Sequence, residues 1–272
     1  MEVNIDQTRW HDRILASFIF FTRLPFWRLH EPPRQAYKSV VEYWPLTGWL
    51  TNGLMAAVLY FGSMAMPLAV TIVLAIVVRL LVTGALHEDG LADFFDGFGG
   101  GGSDRSRILA IMKDSHIGAY GVLALIVYMF LLAASLYAIA NVQCSLFGVQ
   151  CSLAVLAILA AGPFARMVTA QLVMMMPYAR SEDEAKAKMV YRKMDWRAGV
   201  GLALQGLLPM GAFIWLTDID WQMLIFVPCL VMYFLYLLIW RRLRGYTGDC
   251  CGAVCLLVEL AVYLTVCSQL IV

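Results

Sequence analysis

Charge is scarce in this chain. Only 14% of its 272 residues are Asp, Glu, Lys or Arg, while 61% are hydrophobic; a soluble domain runs nearer about 25% and 45–50%. That shortage excludes an ordinary water-exposed surface. Neither sign dominates, with 20 basic against 19 acidic residues, so no nucleic-acid partner is implied. Histidine is down to four and the seven cysteines show no zinc-type or thioredoxin-type pairing. Cys250, Cys251 and Cys255 read as small apolar packing residues. The glycine-rich run GFGGGGS, 97–103, lacks the Lys-Ser/Thr ending of a P-loop and reads as a flexible hinge. Alternating ten-residue segments are absent, which excludes an outer-membrane barrel. The first 30 residues carry charges every few positions and no small-residue cleavage site, so no cleaved signal peptide is expected.

What the sequence does have is length of apolar run. Several stretches reach the roughly 20 residues that cross a bilayer. The expected fold is all-α, a polytopic transmembrane bundle forming one integral membrane domain over 1–272. Spans are expected at about 43–66, 67–86, 117–140, 146–174, 198–217, 221–240 and 252–271, with Pro67 in a first helical turn and Pro163 kinking the fourth span. The region 1–42 precedes them. Its apolar part, His11 to Trp27, is too short to span and reads as an amphipathic, interfacial or re-entrant helix. Lys and Arg concentrate in the N-terminal arm, in the loops 87–116 and 177–197 (Lys186 and Lys188 among them), and at Arg241, Arg242 and Arg244. With seven spans all of these fall on one side, which the positive-inside rule makes the cytoplasm, with the N-terminus inside.

The rare ionisable groups gather on that same side. LHEDGLADFFDG, 86–97, follows the second span directly. Continued as one helix, it puts Asp89, Asp93 and Asp96 in an arc of about 60°. Carboxylates about 6 Å apart repel by roughly 2–3 kcal/mol per pair at an effective dielectric near 20, so the stripe calls for a cation. Carboxylate and water oxygens suit Mg²⁺ or Ca²⁺; Mg²⁺ is usually held by one or two carboxylates together with substrate phosphates. Asp89, Asp93 and Asp96 are therefore the expected metal ligands. Asp249, at the head of the last span in YTGDCCGA, joins them as a catalytic candidate or as a helix cap. Arg180, Lys113, Asp114 and Ser115 lie on the same face as substrate-binding candidates. His87 points away from the stripe; it reads first as an interface histidine and second as a substrate contact. Arg166 and Arg79 sit inside apolar spans and need partners within the bundle. Arg166 is expected to reach a phosphate, and Arg79 to pair with a carboxylate.

FFTRLP (20–25), WPLTG (44–48), HEDGLADFFDG, MKDSHIGAYG (112–121), YAR (178–180) and TGDCCGA occur in this order at these intervals. The pattern resembles the cobalamin synthase family, the adenosylcobinamide-GDP ribazoletransferases, over nearly the whole chain. The acidic motif matches at His87, Asp89, Gly90, Asp93, Asp96 and Gly97. It departs at 88, where the family residue is uncharged, so Glu88 reads as an extra surface acid. It also departs at 116, where His116 stands for a frequent arginine. The resemblance implies a bacterial cytoplasmic-membrane enzyme with Mg²⁺ as cofactor and its site facing the cytoplasm. Its substrates would be adenosylcobinamide-GDP and α-ribazole or its 5′-phosphate, its products adenosylcobalamin or its 5′-phosphate and GMP. A homo-oligomer is compatible with it. A lipid-forming CDP-alcohol phosphotransferase is the nearest alternative, but Asp89-Gly90 is not followed by that family's Ala-Arg. A transporter would place its acids nearer mid-membrane.

Overall fold

The computed structural model describes residues 8–146, 149–180 and 190–270. Lys186 and Lys188 of the expected basic loop lie outside the described residues. The fold is all-α apart from one hairpin. In chain order come α1 (Trp10–Phe21), 3-10 turns at Phe26–Arg28 and Arg34–Tyr43, α2 (Trp44–Gly62), α3 (Leu68–Thr83), α4 (Leu86–Gly100), α5 (Arg105–Lys113) and α6 (Ala119–Ala140). A short antiparallel hairpin follows, β1 (Gln143–Leu146) and β2 (Val149–Ser152), then α7 (Leu153–Met175), α8 (Trp196–Leu216), α9 (Trp221–Leu243) and α10 (Gly248–Gln269).

Each of the seven expected spans contains a helix. Five of these (α6 to α10) are long and apolar enough to cross a membrane alone. The α2 helix carries Thr47, Thr51 and Asn52 inward, and α3, at 16 residues, is only about 24 Å long. The 23-residue α7 runs through Pro163 as one helix and starts later than expected, because the hairpin takes the residues before it. The 12-residue α1 is about 18 Å long, too short to span, and Arg23 N–H donates to the Val82 carbonyl at 2.7 Å, tying the N-terminal arm to the end of α3.

The bundle has an inside and an outside. In α7 and α10, 83% of the apolar stretch is buried; in α6, α8 and α9 only 22–28% is. Phe130, Leu208 and Phe226 are largely exposed on those three helices. Such surface would be costly in water and is at home against acyl chains. The chain is a multi-pass membrane protein with α7 and α10 at its centre.

One expectation fails in an informative way. The acidic stretch does not continue the second span. Gly84 (φ +64°) and Ala85 (φ +55°) both adopt the left-handed conformation, ending α3 and turning the chain by 89° into α4. Glycine takes that conformation without strain; alanine does so at a cost of about 1–2 kcal/mol, which the packing around it must offset. The loop expected at 87–116 is accordingly two helices, α4 and α5. The expected glycine hinge is largely helix: α4 runs to Gly100, and Gly97 lies so close to α5 that a Cβ there would meet Met112 Cγ at 2.5 Å.

Candidate active site

The right-angle turn brings the N-terminus of α4 against that of α10. The two helices touch at glycines. A Cβ on Gly90 would stand 3.1 Å from the Cα and carbonyl oxygen of Asp249, and one on Gly252 would stand 3.2 Å from the His87 carbonyl. Their first turns carry Asp89 and Asp249, and both residues line a single cavity of about 150 Å³. Thr247 caps α10, its hydroxyl accepting from Cys250 N–H at 3.2 Å. Positive helix ends and paired carboxylates together suit a ligand that combines phosphate with a cation.

A backbone clasp adds the next residues. Ala179 N–H donates to Tyr246 at 2.8 Å and Tyr246 N–H to Pro177 at 3.0 Å. The strand-like approach leaves no room for a side chain at Gly245, where a Cβ would lie 2.7 Å from the Pro177 carbonyl. This clasp sets Tyr178 and Arg180 into the cavity wall beside Asp249. Arg180 donates to the Leu109 carbonyl at 2.8 Å. Arg105 braces the clasp from outside, donating to the carbonyls of Leu243 at 2.8 Å and Ala179 at 2.6 Å. Burial, and after it the Asp249 charge, pushes the Tyr178 phenol up to about 12; burial also raises Tyr191. Both face the cavity as neutral phenols. The remaining wall is aromatic, with Phe21, Trp44 and His87 stacked in parallel: Phe21–Trp44 centroids are 5.1 Å apart, Trp44–His87 5.9 Å and Phe21–His87 6.2 Å.

Several expected site residues lie elsewhere. Asp96 is buried at the start of α6, where its two carboxylate oxygens accept from Gly118 N–H at 2.7 Å and Gly121 N–H at 2.9 Å; it fastens α6 to α4. Asp93 is half-buried on α4 and outside the cavity lining. The stripe therefore does not act as one: among the described residues no three His, Cys, Asp or Glu side chains converge as a metal cage. Lys113, Asp114 and Ser115 are exposed at the end of α5, away from the cavity. Asp114 instead engages His116, accepting at 2.7 Å, and raises that imidazole above its usual value.

Arg166 does not reach the cavity. It is buried against Gly162, Asn52 and Thr51, donating at 2.9, 3.4 and 3.2 Å. Asn52 connects it to Glu259 at 2.8 Å, which in turn accepts from Arg79 at 3.3 Å and Tyr263 at 2.8 Å. The expected partner for Arg79 exists twice over, because Arg79 also donates to Glu88 at 3.2 Å and Tyr128 at 2.8 Å. Glu88 is thus no surface acid; the turn at 84–85 aims it inward, where it is 4% exposed. Two arginines and two glutamates balance inside the apolar bundle, the arrangement a low-dielectric interior requires. His87 does line the cavity. Tyr178, Thr247, Phe21 and Trp44 are among the cavity residues that sequence reasoning did not single out, although each falls in a quoted motif.

A two-carboxylate set, Asp89 with Asp249, fits the way Mg²⁺ is bound together with substrate phosphates; the three-aspartate set does not fit. The profile of the family described as Cobalamin-5-phosphate synthase matches residues 13–267. Proteins named adenosylcobinamide-GDP ribazoletransferase are similar throughout: that of Shewanella baltica is 31% identical over 261 residues, covering 95% of both chains. The protein of Leptothrix cholodnii is 35% identical over 250 residues, 90% of each, and that of Leptospira interrogans 32% over 267 residues, 95% of each. No solved structure matches the chain.

Proposed function

Because the chain belongs to the cobalamin-5-phosphate synthase family, we propose that it works as an adenosylcobinamide-GDP ribazoletransferase, the last step of cobalamin assembly. A hydroxyl of α-ribazole, or of its 5′-phosphate, attacks the phosphorus next to cobinamide. The bond to the second phosphate breaks, GMP leaves, and the product is adenosylcobalamin or its 5′-phosphate. The site lies at the cytoplasmic face of a bacterial inner membrane, a placement supported by the basic segments at the same end of the bundle.

The observation that carries this reading is the meeting of Asp89 and Asp249 across the α4–α10 contact, in one cavity with Tyr178 and Arg180. Transfer at a pyrophosphate needs positioning and charge neutralisation more than covalent help. Arg180 and the helix N-termini would hold the phosphate oxygens. Tyr178, kept neutral by burial, would donate to one of them. Asp249, 8% exposed, is the better shielded of the two carboxylates and is the base assigned to the ribazole proton. Asp89, exposed at the cavity rim, would with Asp249 hold Mg²⁺, which when bound neutralises the pyrophosphate. Asp96, reserved for α6, takes no part.

Purified protein given both substrates should release GMP, and chelation of divalent metal should stop it. Asp89→Asn should abolish release while leaving membrane insertion intact. Normal turnover by that variant would remove the assignment.

A further inference from the structure

The aromatic end of the cavity holds groups that the phosphate chemistry leaves unused. Trp44 is 2% exposed and His87 4%. Both line the cavity, yet among the described residues neither Trp44 Nε1 nor His87 Nε2 has a hydrogen-bond partner. A buried indole N–H ordinarily finds an acceptor, since leaving it unmet is costly. Two such atoms on adjacent, parallel rings call for something outside the chain. Around them the wall is apolar, formed by Phe20, Phe21, Val41 and Leu86. A cavity of about 150 Å³ has the scale that accepts one small aromatic ring system in a protein interior. The corrin macrocycle is far larger than this and must stay at the mouth.

We propose that this end of the cavity seats the planar base of the ribazole substrate against the Phe21–Trp44–His87 rings, edge-on to the indole, with its free ring nitrogen accepting from Trp44 Nε1. The proposal rests on the functional reading above and adds which substrate enters and which residues select it. A benzimidazole-type base suits the wall because it carries one ring acceptor, no donor, and otherwise apolar edge. Guanine suits it less. Its ring N–H, amino group and carbonyl would set a mostly polar edge against the four apolar residues flanking the rings. Phe21 on α1 and Trp44 on α2 are thus specificity residues for the accepting substrate, and His87, stacked with both, lies two residues along α4 from Asp89.

The test separates the two substrates. Trp44→Phe keeps a stacking ring and removes the N–H; Phe21→Leu thins the stack and keeps the N–H. The KM for α-ribazole should rise about three- to tenfold in Trp44→Phe and by about fivefold or more in Phe21→Leu. The KM for adenosylcobinamide-GDP should stay within twofold in both. Equilibrium dialysis of α-ribazole alone should show the same losses of affinity, which reads the subsite without turnover. A rise confined to the KM for adenosylcobinamide-GDP would hand the seat to guanine and overturn the proposal. Unchanged constants for both substrates, with only a lower melting temperature, would reduce the rings to packing and overturn it equally. A wild-type protein that binds α-ribazole in dialysis but releases no GMP would defeat the functional reading and leave the subsite standing.

Discussion

Asp96 is the residue on which sequence pattern and structure part most sharply, and Asp96→Asn measures the difference. Pattern alone makes it a metal ligand on the same stripe as Asp89. In the fold its oxygens accept from two main-chain N–H groups of the turn leading into α6, at 2.7 and 2.9 Å, and it is 7% exposed. Hydrogen bonds to a charged group contribute about 1.5–3 kcal/mol each. An asparagine keeps one acceptor and turns an NH₂ group toward the other amide, so one bond is lost and two donors are forced together. The net cost should be about 2–4 kcal/mol. At about 2–4 °C per kcal/mol for a chain of this size, thermal unfolding in detergent should fall by roughly 4–16 °C. At a temperature where the variant is folded, GMP release should lie within about tenfold of wild type and respond to added magnesium as the wild type does. A variant with unaltered melting and release lowered by on the order of 10³ or more would refute this reasoning and return Asp96 to the reaction.

Other perturbations probe the remaining contacts. Gly90→Ala places a methyl 3.1 Å from Asp249 main-chain atoms; overpacking should cost about 1–3 kcal/mol and the displaced carboxylates about tenfold to a hundredfold in GMP release, read by melting and by turnover. Arg79→Met strands Glu88 and Glu259 in the bundle and should cost about 3–5 kcal/mol, with Arg79→Met/Glu88→Gln recovering part of the lost melting temperature. Tyr178 bears on alkaline stability. Its folded-state pKa lies above the ordinary value of 10.0, at about 12, so its contribution is complete below pH 10 and is lost as pH rises from 10 through about 12. Tyr178→Phe should therefore flatten the decline of melting temperature in that window, and an identical decline would contradict the assignment.

The membrane architecture was legible because it depends on apolar run length, a local property. The boundaries at α6, α8 and α9 follow the hydropathy within a few residues. The break between α3 and α4 was not legible. Gly84 is a weak signal within an otherwise helical pattern, and nothing about an alanine announces the positive φ of Ala85. The other misread features have their own tertiary causes: the amides of Gly118 and Gly121 take Asp96 out of the aspartate stripe, Arg79 draws Glu88 inward, and packing against α5 makes the glycine run helical to Gly100. Arg79 was read correctly as needing an acid, since a cation in an apolar span admits few alternatives, but Glu259 lies 180 residues away and no local pattern joins them. The same distance hid the ring stack, whose members come from α1, α2 and α4. Asp89 and Asp249 were each picked out by their motifs; that they line one cavity depends on Gly90 and Gly252, where two helices approach more closely than a Cβ ordinarily permits.

The central claim is that these two carboxylates act as one unit on the phosphates. Single-turnover GMP release by Asp89→Asn, Asp249→Asn and the double variant addresses it directly. Residues that act together are strongly non-additive. Each single substitution is expected to cost on the order of 10³ or more, and the double little beyond the worse single. Costs that multiply across the pair, or either single variant releasing GMP at close to the wild-type rate, would contradict the account.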